Sequence, residues 1–430
     1  MKEICTVICS YNGIQYISDC LESLFSQSIH NFDICVVDNG STDGTYDFLK
    51  NNYANNIHIL RNEENLGGSG GFETGIQYAL SKDYEYIALL DNDIRLADDT
   101  FERLYKKIKK NPDIGAVGSR VMYMDEPEKT MWYGLKINYE KYYIGERIEF
   151  DGDLPEEVEC DFIPACTAII PRHVLEECGT MPVDNFIYHD DADLCMRIKN
   201  KGYRILMLRD ALTWHKGGSS LRTNTFNQYY GIRNEWQFFS KYLEDEKIES
   251  FTDYVLDKTF KILFGSFHKG KNTSLKLYTY VFNDFINGIR GKAGEGRIFE
   301  IEGYHNDQII SIVKKAQKVG ITGPSGDEGY EKAVRLLKKA VDECNAEIDF
   351  VENPHDETEN ADYYFVYCEH VSKVKESILP KIYFDQWLNI IANEDDYYYF
   401  KGFDTSKARF FAMYKPLLLS QIKSIRNEKK

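Results

Sequence analysis

Short apolar runs alternate with amphipathic stretches over the first ninety residues. Helical periodicity runs through residues 17–25, through the residues after Gly44 and through residues 72–81. Between these helices the pattern predicts four buried strands, at Ile4–Cys9, Phe32–Val37, Ile57–Arg61 and Tyr86–Leu90. Strands separated by helical patterns of roughly 10 to 15 residues are typical of parallel β-α-β units. The sequence therefore predicts an α/β fold with a mostly parallel central sheet flanked by helices.

The rest of the chain follows a less regular pattern. We predict helices over residues 98–110, 192–201 and 330–343, and strands over residues 116–122, 168–170, 204–208, 316–322, 346–351, 363–368 and 381–384. Residues 227–287 are helical in pattern and rich in aromatic side chains. We therefore predict an α/β domain over residues 1–226, a helical segment over residues 227–296 and a small α/β domain of unknown role over residues 297–430.

The charge of the chain restricts its partners. Lys and Arg number 52 against 69 Asp and Glu, a net charge of −17. Because nucleic acids are bound through a positive field, an acidic chain of this kind is a poor nucleic-acid binder. Any anionic substrate must be held locally, by a metal ion, by backbone N–H groups or by a few basic side chains.

The ten cysteines include no CxxC pair, and several sit in apolar runs. They are typical of reduced core thiols rather than of a disulfide framework or a zinc site. The N-terminal apolar run is too short for a signal peptide, and no run of about 18 apolar residues occurs. We expect a cytoplasmic protein.

Polar residues follow the predicted strands where each one ends. In parallel sheets, ligands bind beyond the carboxyl ends of the strands, so agreement between several strand ends is stronger evidence than any single motif. These polar residues are Ser10, Asn12, Asp38, Asn39, Asn65, Asp91 and Asp93.

The sequence Asp91-Asn92-Asp93 is the sharpest chemical feature. Two carboxylates on one turn can hold Mg²⁺ or Mn²⁺ together with a ribose hydroxyl, since hard oxygen ligands suit these ions. The alternative is an ordinary acidic turn that caps the next helix. His215, between Trp214 and a Gly-Gly-Ser-Ser tail, could complete a metal site begun by Asp93.

Two further segments are candidates for chemistry. The glycines of Asn65–Gly71 let a backbone approach a ligand closely at a helix start, although a flexible turn has the same composition. The sequence His189-Asp190-Asp191-Ala192-Asp193 places three carboxylates at another helix start. Such residues favour the helix dipole, but their mutual repulsion also tunes pKa values, and one of them could be a general base.

Together these motifs resemble an inverting family 2 glycosyltransferase of the GT-A nucleotide-diphospho-sugar transferase fold. The resemblance covers about residues 1–235 and is carried by VICSYNG, VVDNGSTDGT, NLGGSGGF, LLDND, FIYHDDADLCMRIKNKGYRI and WHKGGSS. It is greatest to bacterial galactofuranosyltransferases and related rhamnosyltransferases of surface-polysaccharide synthesis. It implies that residues 1–226 are a catalytic domain.

The resemblance also implies roles for individual residues. Asp191 is the implied catalytic base, and Asp93 and His215 are the implied ligands of Mn²⁺ or Mg²⁺. The implied donor-binding residues are Ser10, Asp38, Asn39, Asn65, Gly67, Gly68, Asp91 and Asn92. The implied acceptor contacts are His189 and Asp190. Trp132 could stack on an acceptor sugar, although a core position suits a Trp equally.

The expected reaction is a single displacement that inverts the anomeric carbon of a UDP- or dTDP-linked sugar, with galactofuranose or rhamnose as the expected sugar. The acceptor would be a hydroxyl of a glycan or a lipid-linked glycan. Two alternatives stay open, a sugar-phosphate nucleotidyltransferase and a non-catalytic sugar-nucleotide-binding protein.

Residues Lys258–Arg297 hold eight basic and two acidic residues, the opposite balance to the whole chain. Peripheral contact with an anionic membrane and a solvated, packed face are equal alternatives for this segment. Arg233 could reach a phosphate, or could lie on an ordinary helix surface.

Overall fold

The computed structural model describes residues 2–217, 223–301, 307–342, 348–353, 361–375 and 381–428. The chain forms two compact units. The first comprises Met1–Asp245, Asn287–Phe299 and Ser424–Lys430, and the second Glu246–Ile286 and Glu300–Lys423. The functional division that the sequence suggests, with boundaries at residues 226 and 296, stays a prediction.

The first unit contains the predicted β-α-β units. Its helices are α1 Ile17–Phe25, α2 Thr45–Tyr53, α3 Gly67–Leu80, α4 Thr100–Lys110, α5 Arg172–Cys178, α6 Asp190–Asn200 and α7 Phe226–Tyr242. Its strands are β1 Ile4–Ser10, β2 Phe32–Asp38, β3 His58–Arg61, β4 Tyr86–Asp91, β5 Ile94–Leu96, β6 Ile114–Tyr123, β7 Thr130–Trp132, β8 Leu135–Asn138, β9 Tyr143–Arg147, β10 Glu157–Glu159, β11 Thr167–Pro171 and β12 Arg204–His215.

The central sheet follows the order β10-β12-β6-β11-β4-β1-β2-β3, with β5 paired to β12 and β7 to β6. Strands β4, β1, β2 and β3 are parallel. The sheet is mixed beyond them, because β11 runs antiparallel to both β4 and β6. The α/β class and the parallel half of the sheet are as predicted.

The three inner parallel strands, β4, β1 and β2, are largely buried, and helix α3 packs against all three. Ile4, Val7 and Ile8 of β1 are fully buried, as is usual for a central strand of a parallel sheet. Helix α1 buries Ile17, Leu21 and Leu24 on one stripe. Burial of a side chain of this size contributes about 1.5–3 kcal/mol, so these strands and helices hold the carboxyl edge of the sheet in place.

The helix that contains the glycines after Asn65 begins at an earlier residue than predicted. Helix α3 begins at Gly67 rather than at Phe72. A Cβ atom on Gly71 would lie 2.2 Å from Cys9 Sγ, and one on Gly75 would lie 2.1 Å from Val7 Cγ1. These two glycines therefore allow α3 to pack directly on β1 and β2, a long-range constraint that the local pattern does not reveal.

Strand β12 is longer than predicted and reaches His215. Its parallel pairing with β6 shifts register between Leu208 and Leu212. This irregularity interrupts the apolar pattern, so the sequence suggests a strand end at Leu208. The short strands β5, β7, β8, β9 and β10 were also missed, because segments of three to five residues carry little periodicity.

The second unit contains a smaller sheet in the order β14-β13-β15-β16-β17. Its strands are β13 Lys318–Thr322, β14 Asp349–Glu352, β15 Tyr363–Tyr367, β16 Lys381–Phe384 and β17 Ile390–Ile391. Its helices are α8 Ile248–His268, α9 Asn272–Ile286, α10 Asp307–Val313, α11 Glu328–Asp342, α12 Glu394–Lys401 and α13 Phe403–Glu428, whose last turn belongs to the first unit. The first four strands are parallel, so the predicted C-terminal α/β fold is present.

Within the described ranges, none of the helices combines the length and the apolar character that a bilayer span requires.

Candidate active site

Three strand ends meet at one edge of the large sheet. In the parallel register Ser10 is paired with Asp38, and Cys9 with Asp91. The polar residues that end β1, β2 and β4 therefore lie side by side. The convergence predicted from the sequence is present in the structure.

Asp91, Asp93 and His215 form a compact group with the composition of a metal site. His215 Nε2 lies 3.2 Å from Asp93 Oδ1 and 3.6 Å from Asp91 Oδ2. The three ligand atoms lie within 4.8 Å of one another, and this is the one such group found among the described residues. Two carboxylates and an imidazole fit a Mn²⁺ or Mg²⁺ ion, because a cation would relieve the repulsion between the two acids.

An antiparallel ladder brings these residues together across more than 120 positions of sequence. Strand β5 follows the Asp91-Asn92-Asp93 turn and pairs with the end of β12, which places His215 opposite Ile94. Lys216 N also donates a hydrogen bond of 3.1 Å to the carbonyl of Asp93. Backbone hydrogen bonds thus fix His215 beside the turn that carries Asp93.

The electrostatics of the group also favour a cation. Desolvation raises the pKa of Asp91 to about 6, with Asp93 and Asp190 raising it further and His215 opposing them. Desolvation acts to lower the pKa of His215, but its hydrogen bond with Asp93 and the charge of Asp91 raise the pKa overall. His215 Nδ1 is buried and has no hydrogen-bond partner. The site therefore gathers more negative charge than its own cationic groups neutralise.

Asp38 is a further carboxylate at this edge. Its side chain is fully buried, and neither of its oxygens accepts a hydrogen bond. Arg61 Nε lies 3.5 Å from Asp38 Oδ2, and the Arg61 guanidinium stacks on Tyr46 at 4.3 Å from the ring centroid. A buried acceptor of this kind is costly unless a donor reaches it. The predicted ligand contact at Asp38 would supply that donor.

Asn39 organises the glycine segment. Its Nδ2 donates to the carbonyl of Gly67 at 2.8 Å and to Asn65 Oδ1 at 3.2 Å. Its Oδ1 accepts from Asn62 at 2.9 Å and from the N–H of Leu66 at 3.3 Å. These bonds occupy the amide, so the structure gives Asn39 a supporting position beneath the predicted donor site.

Gly67 and Gly68 differ in their surroundings. Gly67 has φ of +75°, and a Cβ atom there would lie 2.0 Å from the carbonyl oxygen of Phe186, whereas one on Gly68 would meet only Ile187, at 3.8 Å. Gly67 therefore serves the close approach of two backbones, and Gly68 faces more open space. Asn92 Nδ2 lies 3.2 Å from Ser10 Oγ, which joins two more predicted donor-binding residues.

The turn before α6 is strained. Phe186, Tyr188 and His189 have φ values of 65°, 68° and 62°. A left-handed conformation costs a residue other than glycine about 1–2 kcal/mol, and such strain concentrates at functional sites. Desolvation lowers the pKa of His189 to about 4, so its ring is neutral at pH 7. The turn delivers Asp190 and Asp191 at the first two positions of the helix.

The three carboxylates of this helix start have different surroundings. Asp193 forms ion pairs with Arg197, whose Nε lies 3.0 Å from Oδ1, and with Lys241, whose Nζ lies 2.7 Å from Oδ2. Its role is therefore structural. Asp190 Oδ2 accepts a hydrogen bond of 2.8 Å from Ser69 Oγ. Asp191 Oδ1 accepts from the N–H of Ala192 at 2.7 Å. In these contacts Asp191 thus differs from the two other acids in its partner, because it accepts a hydrogen bond from a backbone N–H group.

Asp191 is the most perturbed carboxylate of the site. Desolvation raises its pKa to about 8, and the charges of Asp190 and Asp91 raise it further while backbone hydrogen bonds oppose the shift. Because the charge of Asp91 contributes to this shift in the pKa of Asp191, the two carboxylates lie near each other. A carboxyl group whose pKa lies near the working pH is suited to general-base catalysis.

The structure gives the surroundings of two other residues that the sequence singles out. The ring of Trp132 lies 5.6 Å from that of His215 and tilts by 42°, so this partly buried Trp borders the candidate metal site. Arg233 is fully buried, so the alternative of an ordinary helix surface is wrong. The Gly-Gly-Ser-Ser tail after His215 lies, apart from Gly217, outside the described residues.

Family comparison identifies the class of this unit. The model of glycosyl transferase family 2 matches residues 5–179, so these residues form a family 2 glycosyltransferase domain. The resemblance expected from the motifs is confirmed. The match ends before Asp191 and His215, which means that the proposed base and one proposed metal ligand lie beyond it.

Two similar proteins are also named as glycosyltransferases. Galactofuranosyltransferase GlfT2 of Mycobacterium tuberculosis is 29% identical over 196 residues, which cover 41% of this chain and 30% of that protein. An uncharacterized glycosyltransferase of Haemophilus influenzae is 30% identical over 127 residues, 29% of this chain and 38% of that protein. The chain thus spans well under half the length of both relatives.

Among solved structures, a mannosyltransferase of Pyrobaculum calidifontis in complex with GDP-Man and Mn²⁺ is similar to this chain. It aligns with a TM-score of 0.41 and 18% identity over 54% of this chain and 63% of that chain.

Sequence reasoning missed the contacts that hold the site together. Ser69 sits inside the glycine segment and reaches Asp190, and Asn234 of α7 binds the turn before α6. An Arg-Asn pair within an otherwise aromatic helix was the one available signal for the second contact. The first contact joins residues 121 positions apart and has no local signature.

Proposed function

We propose that this protein is a metal-dependent inverting glycosyltransferase. It transfers a sugar from a nucleotide-diphosphate donor to a hydroxyl of a glycan or lipid-linked glycan in cell-surface polysaccharide synthesis. The observation that carries the proposal is that two groups of polar side chains lie near each other. One is the Asp91, Asp93 and His215 group, and the other is Asp191, whose pKa the charge of Asp91 helps to raise.

Asp191 is the proposed general base. In a single displacement the acceptor hydroxyl attacks the anomeric carbon as the nucleotide diphosphate leaves from the opposite face. Asp191 takes the hydroxyl proton as the new C–O bond forms. General-base catalysis of this kind contributes about 10²–10⁴-fold in rate.

The leaving diphosphate carries negative charge into an acidic protein, so its binding needs local compensation. Asp93 and His215 would hold a divalent ion near it, with Asp91 beside them. The ion, when bound, supplies charge stabilisation to the phosphate oxygens. The protein's own contribution is to hold these ligands at the end of β4, in the turn before β5 and at the end of β12.

The proposed donor is a UDP- or dTDP-linked sugar, with galactofuranose or rhamnose as the transferred unit. The similarity to GlfT2, which is named as a galactofuranosyltransferase, supports galactofuranose. Buried Asp38 lacks a hydrogen-bond donor, and the imide N–H of uracil or thymine would provide one.

A thermal-shift panel of sugar nucleotides, with and without Mn²⁺, tests the donor. A ligand that binds only the folded state stabilises by about 2.7 kcal/mol at a hundred times its dissociation constant. We expect UDP-galactofuranose or dTDP-rhamnose to raise the melting temperature, and to do so more strongly with Mn²⁺. A panel in which no sugar nucleotide shifts the transition would count against the donor class.

Product analysis then tests the reaction. With the stabilising donor and a glycan acceptor, we expect release of a nucleoside diphosphate and an inverted anomeric configuration by NMR. Release of pyrophosphate from a sugar phosphate and a nucleoside triphosphate would instead identify a nucleotidyltransferase. Binding without turnover would identify a sugar-nucleotide-binding protein.

Peripheral membrane contact through residues 258–297 stays part of the proposal. Several cations of this segment are in ion pairs, since Lys261 lies 2.7 Å from Asp257 and Lys292 lies 2.7 Å from Glu64. These pairs reduce the charge available to anionic lipid. Flotation with liposomes that contain or lack anionic lipid tests the contact, and absence of binding to both would remove it.

A further inference from the structure

The turn between Asn185 and His189 is held from two sides, by a backbone N–H group of α3 and by a side chain of α7 that has no place in the predicted site. From one side, Ser69 N donates a hydrogen bond of 3.1 Å to the carbonyl of Phe186. From the other side, α7 supplies a buried amide, Asn234, which is 1% exposed. The left-handed residues of the turn would relax to ordinary backbone conformations without such contacts.

Asn234 contacts three carbonyl groups of the turn at once. Its Nδ2 lies 2.9 Å from the oxygen of Asn185, 2.7 Å from that of Ile187 and 3.1 Å from that of Tyr188. An amide nitrogen carries two hydrogens, so two of these contacts share one hydrogen. The carbonyls converge on one point, which an extended or helical turn would not allow.

Arg233 determines which way this amide faces. Its Nε donates to Asn234 Oδ1 at 3.1 Å, which leaves the Asn234 nitrogen directed at the turn. Arg233 Nη2 also lies 2.9 Å from the carbonyl of Gly291 and 3.3 Å from that of Asn185. Adjacent residues of one helix therefore bind the turn as a unit.

We propose that Asn234, oriented by Arg233, is a positioning residue that fixes the 186–189 turn. Through this turn it sets the place of Asp190 and Asp191 relative to the sheet edge. The inference rests on the proposed function for its effect on transfer, but the effect on the turn itself is independent of any reaction. A displacement of a reacting group by about 1 Å can cost 10²-fold in rate, which sets the expected scale.

The test compares Asn234→Ala with Ser240→Ala on the same helix. Ser240 is also fully buried, and its hydroxyl bonds only within α7 among the hydrogen bonds resolved, at 2.7 Å to the carbonyl of Trp236. Both variants lose a buried polar contact, but only Asn234→Ala releases the turn. Asn234→Ser, which keeps one donor, replaces Asn234→Ala should the latter fail to fold.

Hydrogen exchange of the substrate-free protein is measured first. We expect faster exchange in peptides that span residues 185–191 in Asn234→Ala, and unchanged exchange there in Ser240→Ala. Unchanged exchange in both variants would overturn the proposal that Asn234 fixes the turn, whatever reaction the protein catalyses. Equal acceleration in both would assign the effect to general destabilisation and would also overturn it.

Kinetics and metal binding are measured next on the same variants. We expect kcat for transfer to fall by about 10- to 100-fold in Asn234→Ala, with the donor KM and the Mn²⁺ affinity within about threefold of wild type. Unchanged kcat in a variant whose turn exchanges faster would overturn the positioning role. Absence of transfer in the wild type would refute the proposed function. The exchange result alone would then decide whether Asn234 fixes the turn.

Discussion

His215 Nε2 lies 3.2 Å from Asp93 Oδ1, although the two residues are separated by 122 positions of sequence. The β5–β12 ladder creates this contact. A hydrogen-bonded ladder is rigid on the scale of a metal–ligand bond, so the pair is a preorganised half of a cation site. The first prediction follows from this geometry.

Asp93→Ala and His215→Ala should each weaken Mn²⁺ binding by at least about tenfold, because each removes a ligand from a group of three. Isothermal calorimetry with Mn²⁺ alone measures the effect. Asp125→Asn is the matched control, since Asp125 is an exposed acid that pairs with Lys216 at 2.7 Å, next to His215. Equal Mn²⁺ affinity in all the variants would remove this group as the metal site.

Asp191→Asn should lower kcat for transfer by about 10²–10⁴-fold while donor and Mn²⁺ binding stay near wild type. The amide keeps the size of the side chain but cannot accept the acceptor's proton. Asp184→Asn, with a side chain that is 65% exposed, is the control for loss of a nearby acid. Full transfer activity in Asp191→Asn would assign the base elsewhere.

The pH dependence of transfer should show an acid limb far above the ordinary carboxylate range. The proposed base must be deprotonated, and the pKa of Asp191 is raised to about 8. Activity should therefore fall as the pH falls through this region, and the limb should be absent from the residual activity of Asp191→Asn. Rate profiles of kcat/KM between pH 5 and 9 would check this, and a flat profile would contradict it.

The same raised pKa predicts an effect on stability. A carboxyl that binds its proton more tightly in the folded protein contributes stability at low pH, and this contribution is lost as the pH rises from about 4 to about 8. The Asn side chain of Asp191→Asn does not titrate. The melting temperature of this variant should therefore rise relative to that of the wild type as the pH increases across this window, by about 2–4 °C for each kcal/mol. A difference independent of pH would show that Asp191 has an ordinary pKa.

Gly75→Ala should destabilise the first unit by about 1–3 kcal/mol or more, because the new methyl group would lie 2.1 Å from Val7 Cγ1. Gly68→Ala is the matched change on the same helix, with its nearest neighbour 3.8 Å away, and should be near neutral or slightly stabilising. Urea unfolding compares the two. Similar destabilisation by both would contradict the close packing of α3 on the sheet.

The sequence alone determined the alternation of strands and helices and the polar residues at the strand ends. Parallel strands ending in Ser10, Asp38 and Asp91 must place these residues at one edge, so local pattern and chain topology sufficed for half of the site. The motifs also indicated the family, which the match over residues 5–179 confirmed. Each of these features is encoded within a short window of sequence.

Only the tertiary structure decided which acids of the His189–Asp193 segment lie near Asp91 and which are structural. Asp193 is bound by two cations, whereas Asp191 is raised in pKa by burial and by neighbouring acids. The glycines of α3 likewise lie against side chains of strands that are distant in the sequence. Desolvation and close packing depend on which distant groups meet, and no local pattern of residues specifies that.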